Sequence, residues 1–84
     1  MYKLFVFIYT IIGDKMNNIN VRDYIINNFK NDSTDDIKES IVSSINSKEE
    51  DPLIGLGVLF EVMWNNSSDD EKFSILNNIK KGLI

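Results

Sequence analysis

The 84-residue chain has no cysteine and no histidine, a single arginine (Arg22) and a single proline (Pro52). Without cysteine there can be no disulfide framework, thiolate nucleophile or thiolate zinc site, and without histidine no imidazole base, catalytic triad or His-based metal set. A cysteine-free small domain suits a reducing cell interior. Positive charge is scarce as well: nine Lys and Arg stand against thirteen Asp and Glu, for a formal charge of −4. Binding to a phosphate backbone draws on clustered Lys and Arg that displace counterions. Here the lysines are scattered, and direct nucleic-acid binding is not expected.

Long apolar runs are equally scarce. The one near the start, from Leu4 to Ile12, falls well short of the roughly 20 residues that span a bilayer. As a secretory signal it lacks a small-x-small cleavage site before Gly13-Asp14-Lys15. A different origin fits it better. Gly-Asp-Lys-Met can be encoded as GGA-GAT-AAA-ATG, which places a purine-rich ribosome-binding sequence just before the Met16 codon. The Phe, Ile, Tyr and Lys upstream are what AT-rich non-coding DNA yields on translation. We therefore read residues 1–15 as a gene-start artefact, with one domain over residues 16–84. If translated, residues 1–15 would be an unsupported apolar tail, and a membrane tether is the alternative use for them.

What the chain does contain is helix punctuation. Asn20 can cap a helix with Asp23 at its third position, and Ile19 with Tyr24 stands at staple spacing. Val21, Tyr24, Ile25 and Phe29 form one face, and this first helix should end near 29–31. Ser33 opens a second helix, with Asp35 and Asp36 in its first turn, where the helix dipole favours acids. Ile37, Ile41 and Ile45, flanked by Val42, make its apolar stripe. Lys38, Glu39, Ser43 and Ser44 are placed on the other face, and the helix should stop near 46–47, before a solvated Lys48-Glu49-Glu50 connection.

The third segment, GLGVLFEVMW over residues 55–64, organises the rest. As a helix it lines up Gly57, Glu61 and Asn65 at i, i+4 spacing, while apolar side chains occupy nearly all the remaining circumference. Such a helix needs surrounding. Asp51-Pro52 resembles a helix start, but the two glycines argue for a firm beginning near Leu56, with Leu53 and Ile54 as an extended lead-in. The last helix is capped by Ser68, boxed by Glu71, fed by Asp69 and Asp70, and balanced at its far end by Lys80 and Lys81, with Gly82 as a stop. Its buried stripe should be Phe73, Leu76, Ile79 and Leu83, with Ile75 on the shoulder. The expectation is an all-α, four-helix domain whose third helix, about 56–65, is central and enclosed by the other three.

No catalytic, cofactor or metal residues emerge. Gly55-Leu56-Gly57 lacks the preceding strand and following Lys-Ser/Thr of a phosphate loop, so its glycines are read as serving close packing at Gly57 or a turn at Gly55. Glu61 is a lone carboxylate with no proton partner at helical spacing, expected on the exposed strip or paired with Arg22 or a lysine. A functional role for it would be an interface contact. Trp64 fits a core filler, with an interface anchor as the other use. Asp35-Asp36 and Asp69-Asp70 lack the alternating ligands and glycine of a calcium loop.

Taken together, Asn20-Val21-Arg22, Ser40-Ile41-Val42, Ile45 to Glu50, GLGVLFEVMW at 55–64, Glu71-Lys72 and Gly82-Leu83 resemble the small, acid-soluble spore protein I family of endospore-forming bacteria. The resemblance covers residues 16–84 and none of 1–15. One departure is Ile54, directly before Gly55, where the family pattern has proline. The resemblance implies a minor, non-enzymatic protein made in the forespore and kept in the spore core, with no transferable catalytic or binding residues. It carries no DNA-protecting role, since the DNA-coating spore proteins are a separate family whose hallmarks are absent. Action through an unknown protein partner or self-association is the expectation, and a DNA-associated spore protein is the alternative.

Overall fold

A computed structural model describes residues 20–84, and the readings made for residues 1–15 and for the Ile19 staple lie outside the described residues. Among the described residues the secondary structure is four helices and no strand: α1 (Val21–Phe29), α2 (Thr34–Asn46), α3 (Pro52–Asn65) and α4 (Asp69–Leu83).

The helix starts follow from side-chain chemistry. Asn20 Oδ1 accepts from the Asp23 amide at 3.1 Å, and Ser33 Oγ accepts from the Asp36 amide at 3.1 Å. At α4 the box is complete, with Ser68 Oγ accepting from Glu71 N at 3.2 Å and Glu71 Oε1 accepting from Ser68 N at 2.8 Å. Each bond satisfies an amide that the first helical turn leaves without a backbone partner. The α2 end is tied differently: the Ser47 hydroxyl donates to Ser44 O at 3.0 Å and its oxygen accepts from Glu49 N at 3.2 Å. Lys48 between them adopts φ 64°, the left-handed conformation.

The core is small. Ile25, Phe29 and Val58 are buried, with Val21, Ile37, Leu56 and Leu59 packed against them. The shared element is α3, which packs against both α1 and α2.

Four expectations need correction. First, α3 is not enclosed: only Pro52, Gly55 and Val58 are buried on it, while Leu53, Ile54, Phe60, Val62 and Met63 are exposed. The reason lies in the second correction, for α4 has no buried residue, and its stripe of Phe73, Leu76, Ile79 and Leu83 faces outward. Among the described residues only three helices share the core, and much of the α3 circumference is exposed.

Third, the isoleucine stripe of α2 faces inward only in part: Ile37 packs against the core and Ile41 is half-buried, but the stripe does not hold to its end. Ser40 and Ser44 are buried whereas Ile45 is 64% exposed and Val42 46%. Ser40 and Ser44 are the only buried residues of α2, and α2 packs on α3. The Ser44 hydroxyl donates to Ser40 O at 2.8 Å, so its burial leaves no unsatisfied donor. Fourth, the glycines do not break helices. The third helix begins at Pro52, so Leu53, Ile54 and Gly55 are helical, and α4 runs through Gly82 to Leu83. At Gly57, which is exposed, a Cβ would meet nothing within 4 Å, so the expected close packing there is absent.

Candidate functional site

Glu61 sits mid-way along α3, on the strip it shares with Gly57 and Asn65, and faces α1. Arg22, in the first turn of α1, meets it with both arms: Nε donates to Oε1 at 2.7 Å and Nη2 donates to Oε2 at 2.9 Å. This fork matches the carboxylate plane and fixes the angle between the helices as well as the charge. Both side chains remain accessible, 68% for Arg22 and 46% for Glu61. The hydrogen bond from Arg22 holds the Glu61 carboxyl below the usual carboxylate range, and the same bond pushes Arg22 further up. An acid that is ionised and engaged at both oxygens is a poor proton carrier.

The pair forms the polar rim of a groove of about 550 Å³ lined by Arg22, Phe60, Glu61, Trp64, Asn65 and Leu76. Its floor is aromatic. Phe60 and Trp64, one turn apart on α3, stack with centroids 6.0 Å apart and planes 22° apart. From α4, Lys72 Nζ lies 5.3 Å from the Trp64 ring centroid, a cation–π contact that joins the last helix to the third. Trp64 is thus half-buried, neither sealed in the core nor bare. A second apolar trough of about 400 Å³ runs between α2 and α3, lined by Ile37, Ile41, Leu56, Leu59, Phe60, Val62 and Met63. Phe60 borders both.

The structure brings Glu61 and Trp64 into one groove with Arg22, and leaves the other residues singled out from sequence apart. Asp35-Asp36 and Asp69-Asp70 stay in the first turns of α2 and α4, each beside its own capping serine. No group of three or more His, Cys, Asp or Glu able to hold a metal ion occurs among the described residues. Lys80 and Lys81 occupy the last turn of α4. No helix among the described residues is long and apolar enough to cross a membrane. Sequence reasoning missed the groove-lining roles of Phe60 and Leu76. The Phe60–Trp64 i, i+4 spacing could have flagged the stack, but the approach of Leu76 depends on the α3–α4 turn.

What the groove offers is a shallow apolar surface beside a neutralised charge pair, chemistry suited to contact with another macromolecule. Residues 19–83 match the family model described as "Small, acid-soluble spore protein I". A protein of that name from Bacillus mycoides is 44% identical over 64 residues, 76% of this chain and 93% of the relative. One from Bacillus cytotoxicus is 41% identical over 66 residues, 79% of this chain and 94% of the relative. One from Bacillus anthracis is 42% identical over 64 residues, 76% of this chain and 93% of the relative. No solved structure matches.

Proposed function

The chain belongs to the small, acid-soluble spore protein I family, and from that membership we propose that it is a non-enzymatic constituent of the spore core that acts through protein association. The observation that carries the association is the groove of Phe60, Trp64 and Leu76, where the acid among the described lining residues, Glu61, is occupied by Arg22. An apolar surface rimmed by a satisfied charge pair favours contact with protein over chemistry on a small molecule.

The test is acid extraction of purified spores and of growing cells, with intact-mass measurement of the extracts. The product should appear in spores and be absent from vegetative cells. Its presence throughout growth, or its absence from spores, would overturn the reading. Association with DNA is the weaker alternative, because the single arginine is bound to Glu61 and the net charge is −4. A gel shift at low salt with a defined salt slope would favour that alternative.

A further inference from the structure

Helix α4 carries a pattern that the fold leaves unused. Asp69, Phe73, Leu76 and Lys80 recur at i, i+4, i+7 and i+11, which puts them along one side of the helix. All four are exposed, Phe73 at 67%, and α4 buries none of its residues. Read from either end the order is charge, apolar, apolar, charge, with an acid at the start and a base at the finish. Such a row is complementary to itself when reversed. Laid antiparallel against a copy, Asp69 faces Lys80, Phe73 faces Leu76, and both pairs recur across the axis. Laid parallel, Asp69 would face Asp69 and Lys80 would face Lys80, and like charges set directly opposite repel.

Resting on the association reading above, we infer that the partner is a second copy of this chain and that the contact is an antiparallel, two-fold pairing of α4 with α4, its axis passing between Phe73 and Leu76. A two-fold contact uses one patch twice, which a self-complementary row supplies without a second surface. Leu76 also lines the groove with Phe60 and Trp64, so the apolar patch continues from α4 onto α3. Leu83, 78% exposed, runs in this register alongside residues 66–68 of the other copy. The exposed apolar area on α4 is on the order of 500 Å² per copy, near the roughly 600 Å² per partner at the lower edge of specific interfaces, so the dimer is a weak, reversible one.

The chain has no cysteine, which gives introduced thiols a clean background. Sedimentation velocity of the full 84-residue chain at about 100 µM should show a dimer that dissociates on dilution, as a micromolar constant requires. Leu76→Glu should weaken dimerisation at least about tenfold with the helical circular dichroism unchanged, since Leu76 lies outside the core. In a glutathione buffer, Asp69→Cys mixed with Lys80→Cys should form a mixed disulfide, while either variant alone should not. In the antiparallel register the two copies of position 69 are eleven residues apart, about 16 Å along the axis and beyond disulfide reach. A monomer at this concentration, a dimer that survives Leu76→Glu, or equal homodisulfides from each variant alone would overturn the pairing. Absence of the protein from spores would overturn the association reading instead, so the two failures are distinguishable.

Discussion

Arg22 and Glu61 stand 39 residues apart in the chain and are joined by two hydrogen bonds that link the first turn of α1 to the middle of α3. Removing either group should loosen this junction, and removing both should cost less than the sum of the single changes. A double-mutant cycle with Arg22→Met and Glu61→Gln, followed through the fluorescence of Trp64, the only tryptophan, measures the coupling. Because the folded carboxyl titrates below its ordinary range, its contribution is complete above that range, near pH 4, and disappears as pH falls through the lowered value. The stability gap between the native chain and Glu61→Gln should therefore be open at pH 7 and narrow as the pH is lowered below the ordinary carboxylate range. A gap that widened on acidification would refute the assignment.

The seam between α2 and α3 makes an inverted pattern measurable. Ser44→Leu, which replaces a buried serine by a larger and more apolar residue, should destabilise by about 1–3 kcal/mol through overpacking. Ile45→Ser, which deletes a large apolar side chain next to it, should stay within about 0.5 kcal/mol because Ile45 is exposed. Urea denaturation of both variants gives the comparison, and an opposite order would mean that Ile45 packs inward after all.

Lys48 holds φ 64° with a side chain that disfavours it. Lys48→Gly should stabilise by about 0.5 kcal/mol, the removed strain being partly offset by added freedom in the unfolded chain. For a domain of this size that is a rise of about 3 °C in Tm. A β-branched residue there should lower Tm.

Gly57 lies inside α3 with open space around its missing Cβ. Gly57→Ala should therefore gain the full helix-propensity difference, about 1 kcal/mol, without a clash. Calorimetry would detect it, and a loss of stability would show that something occupies the space.

At the far end of the chain, Ser68→Ala removes one half of the reciprocal box of α4. A loss of about 1 kcal/mol is expected, falling on α4 rather than on the core, because no buried residue of α4 transmits it. Amide hydrogen exchange should quicken over residues 69–83 and change little near Ile25 and Val58.

Local signals were legible in the sequence and burial was not. Asn20, Ser33 and Ser68 mark their helices because a cap is chosen within four residues of itself. For Glu61 the sequence offered an exposed strip or a pairing with Arg22 or a lysine, and only the fold selects Arg22. The full inward side of α2 was not legible, because Ser40 and Ser44 are buried through small size, with the Ser44 hydroxyl satisfied within its own helix, and periodicity of large apolar residues is blind to both. The exposed stripe of α4 misled for a related reason. Phe73, Leu76 and Leu83 do fall along one side of α4, yet amphipathicity does not say whether this chain covers that side, and all three are exposed.

The capping box of α4 also has a kinetic consequence. A helix that closes its own first turn within four residues can nucleate on its own, whereas docking α1 onto α3 has to draw together chain separated by 39 residues. The C-terminal helix should thus take shape early, and the rate-limiting event should be closure of the long loop that brings Ile25 onto Val58.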